Sequence, residues 1–195
     1  MLKVGITGGI GSGKSTICRF FETLGAPVYL ADSEAKALMN SSPLIRSQLM
    51  RTFGRDIYQP DHTLNRKKLA QQIFQSANLL EKVNLLVHPI VRQHFLTWLN
   101  KQNGDYVVYE AAILFESGFY PAMDFNILVT APEEERIRRT MARGDITLED
   151  VKNRMARQWP DKEKMKMADF VIINDNEGLI LPQLIELDKK FRAHG

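Results

Sequence analysis

Four glycines, a lysine and a serine near the N-terminus carry the most specific chemical signal in the sequence. Residues 8–15 read GGIGSGKS and match the pattern GxxxxGK(S/T) at every fixed position. In such a loop, main-chain N–H groups converge on an anion, the lysine adds a positive charge, and the serine hydroxyl is a ligand for Mg²⁺. The pattern predicts a polyphosphate-binding loop (P-loop) with contacts from Gly8, Gly9, Gly11, Ser12, Gly13, Lys14, Ser15 and the N–H group of Thr16.

Two carboxylates follow strand-like runs elsewhere in the chain. Asp32 comes just after the run PVYL at residues 27–30, and Glu110 ends the run YVVY. Because parallel strands bring their carboxyl ends to one edge of a sheet, both carboxylates are expected beside the loop. There Asp32 could orient and deprotonate an acceptor hydroxyl, and Glu110 could hold Mg²⁺ through a water molecule. The alternative for Asp32 is a structural role as N-cap of a helix over residues 33–40.

Arginines are concentrated in the segment that follows residue 135. Arg136, Arg139 and Arg143 are spaced i, i+3, i+7 and would share one face of a helix over residues 132–143. Arg154 and Arg157 would share a face of the next helix, over residues 148–158. Joined through residues 144–146, the two helices could form a lid over a triphosphate. The alternative is a pair of solvated helices whose arginines pair with nearby glutamates.

The elements that must position these residues follow from the hydrophobic pattern. Nearly continuous apolar runs are typical of parallel strands that are covered on both faces, and amphipathic stretches between them indicate helices. Pro89 predicts a kink or a break near His88 in a long helical pattern. The fold expected is a three-layer α/β domain with a parallel five-stranded sheet. Strands are predicted at residues 3–7, 27–30, 106–109, 125–130 and 170–173, and the remaining helices at 14–24, 43–53, 66–74, 79–102 and 178–192.

Length and composition agree with one domain. The chain has 195 residues, 44% of them hydrophobic and 25% charged, close to the averages of globular proteins. The predicted domain has a core over about residues 1–32, 105–135 and 168–195, a helical insertion over 33–102 and a lid over 136–160. The lone cysteine and the lack of a signal-like or membrane-spanning run lead us to expect a cytoplasmic protein with no membrane partner.

Two other classes of protein are disfavoured by their missing motifs. A GTPase-like switch would carry NKxD, but residues 100–103 read NKQN, and the DxxG at residues 175–178 comes too late in the chain. Nucleic acid is not expected as a partner, because the basic segment has no interleaved aromatic residues apart from Trp159. A small-molecule kinase needs an acceptor-orienting group, screening cations and a lid, and the sequence offers candidates for all three.

The loop, together with a series of shorter motifs in order along the chain, resembles the dephospho-CoA kinase family. The motifs are TGGIGSGK at residues 7–14, AD at 31–32, TLNR at 63–66, HP at 88–89, ILFE at 113–116, the arginines of 139–143, and ADFVI at 168–172 followed by Asn174. The chain departs from that family's usual pattern in having Leu30 before Ala31-Asp32 and Glu110 in place of an aspartate.

The resemblance implies a P-loop kinase fold and transfer of phosphate from ATP, with Mg²⁺, to the ribose 3′-hydroxyl of dephospho-CoA. It implies Asp32 as the base, Lys14, Arg139 and Arg143 as catalytic cations, and Asn174 near the adenine. It assigns the helical insertion, with His88 and Arg66, to the acceptor, although a core-facing or solvated His88 remains the alternative. Another small-molecule or nucleoside monophosphate kinase of the same fold is the second candidate. The assembly expected is a monomer or a small homo-oligomer.

Overall fold

The computed structural model describes residues 1–74, 76–144 and 146–195, and of Ala77 the backbone alone. Within these residues the chain forms two compact units. The first comprises Met1–Leu30 and Gln102–Gly195, and the second comprises Ala31–Lys101.

The first unit is built on a sheet of five parallel strands, as predicted. With β1 central, its residue Ile6 pairs with Glu110 on one side and Ile127 on the other. Since all pairs are parallel, the five carboxyl ends lie at one edge of the sheet, where ligands of open α/β sheets bind. The strands are β1 (Leu2–Thr7), β2 (Val28–Leu30), β3 (Tyr106–Glu110), β4 (Phe125–Thr130) and β5 (Phe170–Ile173), in the order β2-β3-β1-β4-β5.

Helices α1 (Lys14–Thr23) and α9 (Ile180–His194) cover one face of this sheet. Phe21 of α1 and Phe191 of α9 are fully buried among the strands' apolar side chains. Each such side chain contributes roughly 1.5–3 kcal/mol on burial, so this packing fixes the position of α1 and therefore of the loop that precedes it. On the opposite face, Gly5 leaves space for Leu114 and Met123, since a Cβ at Gly5 would lie 2.7 Å and 2.9 Å from their side chains.

The second unit is helical. Its helices are α2 (Ala31–Ser41), α3 (Pro43–Phe53), α4 (Arg66–Phe74) and α5 (Ala77–Leu99), and its core is formed by side chains such as Leu49, Val87 and Phe95. Ser42 caps α3 by accepting a hydrogen bond from the N–H of Ile45 at 3.4 Å.

Two boundaries in this unit differ from expectation. Helix α5 continues through Pro89, so of the predicted kink or break near His88 the break is absent from the described residues. The buried Val83, Val87 and Val91 anchor the helix on both sides of the proline, which offsets its missing N–H group. Helix α2 begins at Ala31, two residues earlier than expected, so Asp32 lies in its first turn and is not its N-cap.

Three short helices occupy the arginine-rich segment of the first unit: α6 (Glu133–Met141), α7 (Leu148–Met155) and α8 (Asp161–Met165). Thr147 caps α7, accepting from the N–H of Asp150 at 3.1 Å. The predicted helices were too long, because α6 ends before Arg143 and α7 ends before Arg157. Asp145, in the predicted connection between them, lies outside the described residues. No helix in the described part of the chain is long and apolar enough to span a membrane.

Candidate functional site

The loop between β1 and α1 places main-chain groups at the amino end of a helix. Gly11 and Gly13 have φ angles of 78° and 99°, in the left-handed region that glycine adopts without strain. Among the described residues no side chain caps α1, and its first turn contains no acidic side chain. The helix therefore directs an uncompensated positive dipole at the loop, which is the physical basis of anion binding at such sites. The N–H of Thr16 donates to the carbonyl of Gly13 at 3.0 Å.

Side chains from elsewhere in the first unit pack directly against the glycines of the loop. A Cβ at Gly9 would lie 1.8 Å from Nη2 of Arg136, and a Cβ at Gly13 would lie 2.1 Å from Nδ2 of Asn174. Any side chain at these two positions would displace its neighbour. The glycines thus serve close packing around the loop as well as its curvature.

Lys14 and Glu110 meet at the carboxyl edge of the sheet. The Lys14 ammonium donates to the carbonyl of Gly8 at 2.8 Å and lies 3.9 Å from Oε1 of Glu110. Both side chains are largely buried, whereas Ser15 is exposed at the start of α1. A hydroxyl and a carboxylate are oxygen ligands of the kind that Mg²⁺ takes together with phosphate oxygens and water. The donor set of Ser15 and Glu110 therefore fits Mg²⁺.

Arg139 lies beside the carboxyl end of the loop and is held by hydrogen bonds. Its Nε donates to Glu135 at 2.7 Å and its Nη2 to Asn176 at 2.6 Å. Its Nη1 is buried and has no hydrogen-bond partner among the described residues, and it lies 3.8 Å from the position of a Cβ at Gly13. Hydrogen bonds from Arg138, and then from Asn176 and Arg139, lower the pKa of Glu135 to about 2, so this carboxylate is ionised at neutral pH.

Asn174, expected near an adenine, follows β5 and contacts the loop itself. Its Nδ2 donates to the carbonyl of Ser12 at 2.9 Å, and its N–H donates to the carbonyl of Thr130 at 2.8 Å. This residue therefore fixes the carboxyl end of the loop to the edge of the sheet.

A basic cavity adjoins the loop. Its volume is about 310 Å³, and Lys14 and Arg143 both line it. Four cationic side chains line this cavity, so its positive charge favours binding of a polyanion. Besides Lys14 and Arg143, the lining comprises Arg154, Arg157, Ile10, Gly11, Ala112 and Gln158.

In the second unit, Asp32 is close enough to His88 for their charges to interact. Burial, and next the nearby charge of Arg92, lower the pKa of His88, while the charge of Asp32 acts in the opposite direction. Asp32 is exposed in the first turn of α2, and His88 is half-buried on α5. Arg66 is exposed at the first residue of α4. Arg92 was missed in the sequence, although its i+4 spacing from His88 places the two on one helix face.

Other residues missed or misinterpreted in the sequence hold the site together. Arg136, expected among the cations of the lid, is only 8% exposed and donates from Nε to the carbonyl of Ile10 at 3.0 Å. Gln158, which no motif marked, bonds the N–H of the same residue at 2.9 Å. The fully buried Lys164 has its Nζ 2.8 Å from Oε1 of Glu116, so an ion pair ties α8 to the segment after β3.

The parallel sheet, the phosphate-binding loop on its central strand and the adjoining basic cavity define a P-loop kinase fold. The family model described as dephospho-CoA kinase matches residues 2–179. A dephospho-CoA kinase of Porphyromonas gingivalis is 42% identical over 194 residues, which cover 99% of this chain and 96% of the relative. The chain therefore belongs to the dephospho-CoA kinase family, and the resemblance in its motifs is confirmed.

Solved structures agree with this family. A crystal structure from Thermus thermophilus is similar with a TM-score of 0.84 and 33% sequence identity, covering 98% of this chain and 96% of that one. A dephospho-CoA kinase from Campylobacter jejuni is similar with a TM-score of 0.71 and 26% identity, covering 98% and 97% of the two chains.

Proposed function

We propose that this chain transfers the γ-phosphoryl group of ATP to the ribose 3′-hydroxyl of dephospho-CoA, giving coenzyme A and ADP. The observation that carries the proposal is the basic cavity beside the loop in a chain of this family. In the transfer, the acceptor oxygen forms a bond to the γ phosphorus while the bond from that phosphorus to the β–γ bridging oxygen breaks. ADP leaves with the bridging oxygen, and the hydroxyl proton passes to a base.

The cations of the first unit would stabilise the charge on the transferring group. In phosphoryl transfer the negative charge is spread over three equatorial oxygens, so positioned cations contribute more than covalent chemistry does. We assign this role to Lys14, Arg139 and Arg143, with Arg154 as an additional candidate. The loop residues 8–16 and Asn174 would hold the triphosphate and the neighbouring part of the nucleotide. The Nη1 of Arg139, buried and without a hydrogen-bond partner in the part of the chain that the structure describes, supports the role of this residue in the arrangement.

We assign Mg²⁺ to the hydroxyl of Ser15, with Glu110 acting through water. When bound, the ion would supply positive charge that offsets the negative charge developing on the phosphate oxygens. Lys14 contacts Glu110, so this carboxylate also keeps the ammonium group at the mouth of the loop.

Asp32 is the proposed base and orienting group for the acceptor. It is exposed, follows β2 by two residues along the chain, and interacts electrostatically with His88. In a loose transition state little proton transfer is required, so its main contribution would be to hold the hydroxyl in line. His88 and Arg66 are proposed as further acceptor contacts within the second unit.

To test the function, the purified chain is incubated with ATP, Mg²⁺ and one acceptor at a time, and the release of ADP is measured. ADP release that depends on dephospho-CoA, and not on AMP, CMP or UMP, supports the proposal. Release that depends on a nucleoside monophosphate instead would assign the chain to another kinase class, and nucleotide binding without turnover on any acceptor would indicate a switch protein. Lys14→Ala is the matched control, because loss of its ammonium group should lower the turnover about 100-fold or more.

A further inference from the structure

Ile10, at the apex of the phosphate-binding loop, has both of its main-chain polar groups bonded to side chains that lie far away in sequence. Its N–H donates to Oε1 of Gln158 at 2.9 Å, and its carbonyl accepts from Nε of Arg136 at 3.0 Å. Within the loop itself, the N–H of Ser12 donates to the carbonyl of Gly9 at 3.1 Å. The apex residue between Gly9 and Ser12 is instead bonded by the side chains of Gln158 and Arg136.

Arg136 is fixed on both sides of its guanidinium group. Nη1 lies 3.2 Å from Oδ2 of Asp161, which also accepts from the hydroxyl of Thr130 at the end of β4. On the other side, Nη2 occupies the space where a side chain at position 9 would be, 1.8 Å from the Cβ position of Gly9. With 8% of its surface exposed, Arg136 is enclosed by the loop and by Asp161 rather than directed at a ligand.

Gln158 connects the loop to two other segments. Its Nε2 donates to the carbonyl of Ala112, after β3, at 3.1 Å, while its Oε1 accepts from Ile10. A donor on one side and an acceptor on the other determine the orientation of the amide. Gln158 also lies between α7 and α8, one residue after Arg157, so it belongs to the segment whose arginines line the basic cavity.

We infer that Arg136 and Gln158 are positioning residues that hold the apex of the loop in its nucleotide-binding conformation and couple it to the arginine-bearing segment. The inference rests on the proposed function, since it requires the loop to bind ATP. A loop of glycines has large conformational freedom, and ordering it on binding would lower the nucleotide affinity. Hydrogen bonds that order the apex beforehand remove this cost from the binding step. These hydrogen bonds therefore affect the affinity for the nucleotide and not the affinity for the acceptor.

The test replaces Gln158 with leucine, which has a similar size and no hydrogen-bonding group. The measurements are kcat, the KM values for ATP and dephospho-CoA, and the Kd of ADP by titration calorimetry. Loss of two neutral hydrogen bonds should raise the KM for ATP and the Kd of ADP about three- to tenfold, with the KM for dephospho-CoA unchanged. Gln158→Met, which is closer to glutamine in length, repeats the test if the leucine variant does not fold.

A second arm tests whether both side chains act on the same residue. Arg136→Met alone should also raise the Kd of ADP, and the double variant should raise it by less than the product of the two single effects, since either loss already frees Ile10. If the two effects on the Kd of ADP multiply fully, Arg136 and Gln158 act independently. That result would contradict their joint action on Ile10.

Tyr106→Phe is the matched control for general destabilisation. It removes a buried 2.6 Å hydrogen bond to Asp188, in the same unit and away from the loop, and should leave both KM values unchanged. The inference is overturned if a folded Gln158 variant binds ADP as tightly as the unaltered protein, or if both its KM values rise together. If the unaltered protein binds no ADP, the proposed function is contradicted as well. This result is distinguishable from equal ADP binding by the unaltered protein and the Gln158 variant, which contradicts the inference alone.

Discussion

Glu135 shows how a single residue can organise a cationic site. It accepts hydrogen bonds from Arg138, Arg139 and Asn176, and these interactions lower its pKa to about 2. Since its folded-state pKa lies below the unfolded value of about 4.3, its stabilising contribution is fully present above that value and is lost as the pH falls towards 2. The carboxylate thus helps to hold Arg139 against the loop throughout the physiological range.

We expect Glu135→Gln to lower the free energy of unfolding at pH 7 and to have a much smaller effect near pH 2.5. Chemical denaturation of both proteins at a series of pH values measures the difference. Glu134→Gln, at the exposed neighbouring position, is the control and should give a smaller difference at pH 7. A difference between Glu135→Gln and the unaltered protein that stays constant from pH 7 to pH 2.5 would contradict the assignment of the lowered pKa.

Asp32 is the residue on which the proposed chemistry of the acceptor depends. Asp32→Asn keeps the shape of the side chain and removes its charge, so kcat should fall about 100-fold or more while the KM for ATP changes less than about twofold. Steady-state kinetics with both substrates measure the two effects. Glu34→Gln provides a matched control on the same helix, because Glu34 is 3.7 Å from His94 and has no proposed part in the reaction. Near-normal turnover by Asp32→Asn would remove Asp32 from catalysis.

At the scale of elements, the strands and the loop could be predicted because their signals are local. Apolar runs identify buried parallel strands wherever they pair, and the loop pattern needs only its own eight positions. Helix ends were less certain, as the early end of α6 before Arg143 illustrates. Gly144, a residue type that often follows the end of a helix, predicts an end near Arg143, whereas α6 ends at Met141.

The roles of Arg136 and Gln158 could not be predicted, because helix spacing identifies the face on which a residue lies but not what packs against that face. Arg136 shares its spacing with Arg139, yet one is enclosed against Gly9 and Asp161 while the other lies beside Gly13. The only available signal was Gly9, whose missing side chain makes room for the guanidinium group.

For the molecule as a whole, the groups proposed for the two substrates belong to different units. The loop, the arginines and Asn174 are in the first unit, and Asp32, Arg66 and His88 are in the second. The chain passes between the units at Leu30–Ala31 and again at Lys101–Gln102. Variants of the first-unit residues can therefore be tested by the KM for ATP, and variants of the second-unit residues by the KM for dephospho-CoA. An error in one assignment can then be detected separately from an error in the other.

Cys18 provides a reporter of how nucleotide binding stabilises the folded chain. It is 2% exposed on α1, four residues after Lys14, and burial chiefly, with the charge of Glu110 next, raises its pKa to about 12. The protonated, enclosed thiol should react with iodoacetamide only when the structure around α1 opens, which also destroys the nucleotide site.

Free ADP at 100 times its Kd should therefore slow the alkylation of Cys18 about 100-fold, because it lowers the population of the open state by that factor. Mass spectrometry of the labelled protein at intervals measures the rate, and Cys18→Ala shows the background. In Lys14→Ala the same ADP concentration should protect much less. Labelling of the native protein as fast as a free thiol, or equal rates with and without ADP, would contradict the link between the buried thiol and the occupied loop.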